Sequence, residues 1–245
     1  MKRVLLIFAA AICSQCSSVE KDYTQWVDPM IGSGEHGHVF VGASRPFGMV
    51  QLGPSSIISG WDWCSGYHIC DNIILGFSHQ HLSGTGIGDL QDILFLPVTR
   101  DVKLQKGDKS DPESGIYSTF DLNSKFVEPG YYRVHLDRYN VGVELTATDR
   151  VGFHRYTYAQ GDDADMTINL VSAMNWDEPV EVYLTKESDL VVSGYRYSKG
   201  WANDQRVYFT AEFSEPITDF ELHDVTEPIN QDQDVKTIKD GLLPS

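Results

Sequence analysis

From Tyr131 onward the chain alternates apolar and polar residues with a period of two. Tyr132, Val134 and Leu136 interleave with Arg133, His135 and Asp137, and Val141, Val143 and Leu145 repeat the pattern. Such alternation puts one set of side chains on each face of an extended strand and builds no helical stripe. Further strands are predicted over 150–158, 166–171, 180–184, 190–197 and 207–213, with turn chemistry at Asp162-Asp163 and Ser198-Lys199-Gly200. No window offers a long amphipathic helix capped at both ends. Short strands punctuated by Gly and Pro predict an all-β fold, a large antiparallel β-sandwich. With 245 residues the chain can bury one sizeable core.

The two ends stand apart from this pattern. Lys2 and Arg3 precede a short apolar run, Val4 to Ile12, so residues 1–18 are expected to be a targeting segment. The run is too short to span a bilayer as a helix, and no transmembrane span is expected. Cys13 and Cys16 follow it directly; either lipidation at Cys16 or Cys13 or plain secretion suits the pattern. Both place the protein outside the cytoplasm, in the periplasm or as an outer-membrane lipoprotein of a bacterium. Residues 226–245 are polar and acidic and read as a linker or frayed end, which leaves 22–225 for the sandwich. A formal charge of −16, with no basic face, excludes nucleic acid as a partner. Cys64 and Cys70 have no zinc-type spacing; a small disulfide loop and two separate thiols both remain open.

Residues 28–97 are rich in Gly, Pro, His and Trp and poor in charge, which predicts ordered loops where function concentrates. Three stretches stand out. One runs from Asp28 through Gly34-Glu35-His36-Gly37-His38 to Leu52; the second is Gly60-Trp61-Asp62-Trp63-Cys64-Ser65-Gly66-Tyr67-His68; the third is Gly76-Phe77-Ser78-His79-Gln80-His81 and on through Gly84-Thr85-Gly86-Ile87-Gly88-Asp89. Sugars offer apolar C–H faces and hydroxyl edges, so a site for them needs a flat aromatic platform beside rigid polar groups. Trp61 and Trp63 suit the first need; Asp62, His68, His79 and His81 suit the second, with Cys64, His36 and His38 beside them. Packing is the competing use of each ring: if extended, Trp61 and Trp63 share one strand face. The His36/His38 and His79/His81 pairs resemble metal-binding spacing, but no acidic ligand is placed by spacing, so they are read as structural or sugar-contacting and no metal is assigned. The glycine run from Gly84 to Gly88 lacks the Lys and helix of a phosphate loop.

These stretches resemble the N-terminal domain of glycoside hydrolase family 92, bacterial exo-α-mannosidases. Further similar tracts are Glu128-Pro129-Gly130-Tyr131-Tyr132, Glu144 to Thr148, Arg150 to Tyr156, Gly194 to Ser198, Gly200 to Gln205 and Val207 to Phe209, so the likeness runs from about Trp26 to Ile217. The resemblance implies a β-supersandwich packed on a C-terminal (α/α)6 barrel, with α-mannoside glycans bound between them. It implies inverting, calcium-assisted hydrolysis, with both catalytic carboxyls and most calcium ligands on the barrel; inversion sets those carboxyls about 6.5–9.5 Å apart. No region here reads as that barrel, so no catalytic residue and no calcium ligand is assigned to this chain. Asp62, Asp71, Asp89 and Asp92 are the carboxylates of the informative region, and nothing in their spacing separates an acid from a base. The expectation is a recognition domain that is inert without its barrel; a free-standing carbohydrate-binding module is the alternative. One departure stands at Asp121-Leu122 and Lys125, where the family carries a Ser-His pair and then a Glu.

Overall fold

The computed structural model describes residues 21–99, 103–105, 107–172 and 176–223. The predicted targeting segment with Cys13 and Cys16, and the predicted tail over 226–245, lie outside the described residues. In chain order the strands are β1 (Ala43–Ser44), β2 (Gln51–Ser55), β3 (Ile73–Ile74), β4 (Gly76–Ser78), β5 (Leu94–Val98), β6 (Ser118–Thr119) and β7 (Phe126–Glu128). They continue with β8 (Tyr131–Leu136), β9 (Val141–Ala147), β10 (Gly152–Thr157), β11 (Asp165–Asn169), β12 (Glu178–Lys186), β13 (Val191–Lys199) and β14 (Gln205–Glu212). Every strand expected from alternation is present, with ends shifted by one or two residues. There is no α-helix among the described residues.

Four antiparallel sheets result: a five-stranded sheet in the order β1-β2-β4-β5-β11, a four-stranded sheet β10-β9-β8-β7, a three-stranded sheet β12-β13-β14, and the pair β3-β6. The principal core lies where the first two sheets face each other. Tyr132, Val134 and Leu136 on β8, and Val141, Val143 and Leu145 on β9, point inward onto Leu52, Phe77, Leu94 and Leu96. Burying each such side chain is worth about 1.5–3 kcal/mol, which makes this register hard to slip, since a one-residue shift would turn all six outward. Asn140 takes the left-handed conformation (φ 52°) that closes the β8–β9 hairpin.

The three-stranded sheet is attached more thinly. Its apolar contact is a small cluster in which Ile93, Phe95 and Leu170 meet Val182, Leu184, Val207 and Phe209. Alongside it opens a cleft of about 2080 Å³, lined in part by His79, His154, Tyr156, Met166 and Phe209. The polar tie is stronger. Arg196 of β13 is fully buried and donates to Asp92 Oδ1 (2.5 Å), to Asp177 Oδ2, and to the carbonyls of Leu170 (2.9 Å) and Ser172 (3.1 Å). Removing the cation strands two carboxyls in an apolar setting, and breaking such a buried pair costs about 3–5 kcal/mol. Arg196→Leu is therefore expected to lower the unfolding free energy by about that amount in urea titrations. A loss below about 1 kcal/mol would show that the guanidinium is not what holds the third sheet.

Candidate saccharide site

The glycine-rich loop from Gly84 to Asp89 is the hub of the aromatic surface. Trp61 Nε1 donates to the carbonyl of Gly86 (2.7 Å), the backbone N–H of Trp176 donates to the carbonyl of Gly88 (2.9 Å), and the N–H of Trp201 donates to Asp89 Oδ2 (2.7 Å). All three indoles stand well out of the protein, at 57%, 56% and 57% exposure. Gly86 (φ 68°) is required here: a Cβ would lie 2.8 Å from Trp61 Cζ2 and 3.2 Å from His38 Nδ1. Asp89 itself is buried and also accepts from Gln205 Nε2 and the Leu90 N–H, which locks the loop to β14. Sequence reasoning singled out Trp61 but missed Trp176 and Trp201. Trp201 lay inside the Gly200 to Gln205 tract; Trp176 carried no local signal.

Residues 61–63 form one turn of 3-10 helix, opened by Gly60 (φ 109°) and closed by Cys64 N–H donating to Trp61 O (3.1 Å). At three residues per turn, Trp61 and Trp63 point in different directions, so the shared strand face expected for an extended segment does not exist. Trp63 is half-buried: His68 stacks on it at 4.5 Å, Lys109 Nζ lies 5.2 Å from its ring centroid, and its Nε1 donates to Asp71 Oδ2 (2.6 Å). This ring is therefore engaged by its own neighbours. His68 is buried behind it and accepts from the Cys70 N–H at 3.3 Å. Cys64 is buried, Cys70 is exposed, and both are unpaired thiols; burial pushes the Cys64 thiol up.

His79 and His81 turn inward. His81 Nδ1 lies 2.9 Å from the Ser65 carbonyl, so Nδ1 carries the proton and Nε2 accepts from Ser78 Oγ (2.9 Å). The same logic orders a chain: Tyr156 OH donates to His154 Nδ1 (2.7 Å), His154 Nε2 donates to His79 Nε2 (3.0 Å), and His79 Nδ1 donates to the Ile93 carbonyl (2.8 Å). Each imidazole is satisfied as the neutral species, and burial holds His79 and His81 down to about 4 and His154 well below its usual range. The ring nitrogens of His79, His81 and His154 are thus all taken up by hydrogen bonds within the chain, while His79 and His154 also line the cleft.

His36, His38 and Asp62 converge instead at the surface beside Trp61. His36 Nδ1 is 2.6 Å and His38 Nε2 3.5 Å from Asp62 Oδ1, and Trp61 packs 4.2 Å from the His38 ring. The carboxylate holds the exposed His36 imidazolium above its usual range, first by their hydrogen bond and then by its charge. Among the described residues this is the one group of three side chains whose donor atoms lie close enough to share a cation. Two imidazoles and one carboxylate do not fit calcium, which takes six to eight oxygens. The remaining carboxylates of the region are engaged internally: Asp71 by Trp63 and Lys109, Asp89 by the Trp201 N–H and Gln205, Asp92 by Arg196. Lys125, the departure noted above, donates to Tyr67 OH (2.8 Å), and burial pulls its ammonium downward.

Residues 26–243 match the glycosyl hydrolase family 92 N-terminal domain. An α-mannosidase of that family from Bacteroides thetaiotaomicron, solved also with mannoimidazole, superposes with a TM-score of 0.76 at 38% identity over 80% of this chain. An inverting mannosidase of the same family and organism superposes with a TM-score of 0.62 at 22% identity over 81% of this chain, a likeness of fold. A curated secreted glycosidase of Arthroderma benhamiae, itself uncharacterised, is 26% identical over 158 residues, 63% of this chain. The chain spans 26% of the length of each solved mannosidase and 20% of that glycosidase.

The buried imidazoles generate a pH dependence. With native values near 4 and unfolded values near 6.5, the unfolded chain binds more protons between these limits. Their contribution is complete above about pH 6.5 and is lost as pH falls toward 4, at about 1.4 kcal/mol per pH unit for each group. Asp177, raised to about 6 by burial, acts oppositely, as do Asp92 and Asp137, which burial also raises. Denaturant midpoints are therefore expected to fall steadily from pH 7 to pH 4.5, less steeply in His79→Asn; equal slopes in the two proteins would contradict the neutral-imidazole assignment.

Proposed function

The chain belongs to glycosyl hydrolase family 92 through its N-terminal domain, and we propose that it is the sugar-recognising part of an exported exo-α-mannosidase. The observation that supports this reading is the trio of exposed tryptophans around one glycine-rich loop, Trp61 bonded to it through its indole and Trp176 and Trp201 through their backbone N–H groups. Exposed indoles on a rigid loop are costly unless something covers them, and a pyranose C–H face or a docked domain is what such a surface takes. Trp61 is the platform for the outer mannose, with Asp62 and His36 offering hydroxyl contacts at its edge. His38 orients these two from beneath. Cys64, Trp63, His68, His79 and His81 act by shaping the turn and the loop.

Bond breaking is assigned to a second domain of the enzyme. The inverting reaction requires an acid and a base carboxyl facing each other across a cleft about 6.5–9.5 Å wide. Of the aspartates of the loop region, Asp71 is tied to Trp63 and Lys109, Asp89 to backbone N–H groups and Gln205, and Asp92 to Arg196, which leaves Asp62, held by His36, without a second free carboxyl to face. Calcium, by family resemblance, belongs with that other domain as well, since the donor set here suits a different ion. Further exposed apolar side chains, among them Trp26, Ile31, Phe47 and Met49, favour a docked partner domain over a carbohydrate-binding module acting alone. Export, by a cleaved or lipidated leader at Cys13 or Cys16, completes the proposal.

Mannose release from α-mannosides in the presence of calcium tests it. The 245-residue chain alone is expected to release none, and a mixture with a family 92 catalytic barrel is expected to release mannose. Trp61→Ala in that mixture is expected to cut the rate about fivefold, the value of one aromatic contact near 1 kcal/mol. Release by the isolated chain contradicts the division of labour; sugar binding with no release in the mixture favours the lone binding module.

A further inference from the structure

His38 carries an unusual burden for a surface loop residue. Its ring is 6% exposed, and among the described residues its Nε2 has no hydrogen-bond partner. That nitrogen is aimed at Asp62 Oδ1 from 3.5 Å, but the same oxygen already accepts from His36 at 2.6 Å. A buried ring nitrogen left unpaired is destabilising, and one carboxylate oxygen shared by two imidazoles does not satisfy both well. The backbone bears strain to produce this arrangement: Glu35 and His38, neither a glycine, take left-handed conformations at φ 47° and 54°.

We propose that His36, His38 and Asp62 form a site for a borderline divalent transition-metal ion of the Zn²⁺ class. Two imidazoles and one carboxylate are the donor set such ions select, whereas hard ions select oxygen alone. A metal held at about 2.0–2.1 Å from each donor needs donors about 3.3 Å apart. The carboxylate-to-nitrogen separations of 2.6 and 3.5 Å straddle that value, and all three donor atoms lie within 4.8 Å of one another. His36, the exposed member of the three, is the ring with room to adjust to an ion. Trp61 packs against both imidazoles, which places the ion next to the indole assigned to the sugar. Metal binding would give the buried Nε2 its partner and displace the His36 proton.

Titration of the 245-residue chain with Co²⁺, followed by visible absorption, tests the site. One equivalent is expected to saturate a d–d band that Zn²⁺ then removes. His36→Ala, at an exposed ring that the fold does not need, and Asp62→Asn are each expected to weaken Co²⁺ binding at least tenfold. His135→Ala, an exposed histidine on β8, is expected to leave it unchanged. Circular dichroism confirms that each variant is folded. Absence of a saturable band, or undiminished binding in folded His36→Ala and Asp62→Asn, overturns the proposal.

Discussion

The guanidinium of Arg196 is where the two parts of the molecule are joined. Its partners come from the segment before β5 (Asp92), from the end of β11 (the Leu170 and Ser172 carbonyls) and from the residue before β12 (Asp177). Leu90, Gln91 and Ile93 around Asp92 all take left-handed conformations, so this segment is held against its own preference. Three residues upstream Asp89 accepts from Trp201 and Gln205, on and beside the β13–β14 hairpin. The glycine loop is thus clamped from the side of the third sheet. Without the clamp, the thin apolar contact between Phe95 and Phe209 would be left to position it.

That constraint explains why the same short region holds two populations of rings. The imidazoles of His79, His81 and His154 are neutral and ordered by direction of hydrogen bonding, His81 buried and the other two half-buried. Trp61, Trp176 and Trp201, around the glycine loop, are presented outward. The first set supplies rigidity and the second supplies contact area, which is the arrangement a pre-organised sugar platform needs. His36, His38 and Asp62 sit beside Trp61.

The strands from β8 to β14 were legible in the sequence because one buried face imposes alternation, and alternation survives without knowledge of the partner strand. Strands β1 to β7 were not, being two to five residues long and either too short to show alternation or, as in Leu94–Val98, buried on both sides. The loop residues were legible by type and not by role. Trp63 differs from Trp61 only because a 3-10 turn rotates it onto His68. His79 and His81 share a spacing with His36 and His38, yet the segment after β4 turns the first pair onto the Ile93 and Ser65 carbonyls, while a left-handed loop leaves His36 exposed and His38 buried beside Asp62. The acidic companion of His36 and His38 is Asp62, 26 residues from His36 in sequence, and only closure of the sandwich brings it there.

The central claim is that indoles around the glycine loop, and not the half-buried Trp63, meet the saccharide. Indole N–H resonances of ¹⁵N-labelled protein, followed during titration with a methyl α-mannoside, report each tryptophan separately. The account predicts that the Trp61 signal shifts saturably, with Trp201 or Trp176 following, while Trp63, held by Asp71, stays in place. Shifts confined to Trp63, or none at saturating sugar, would contradict it.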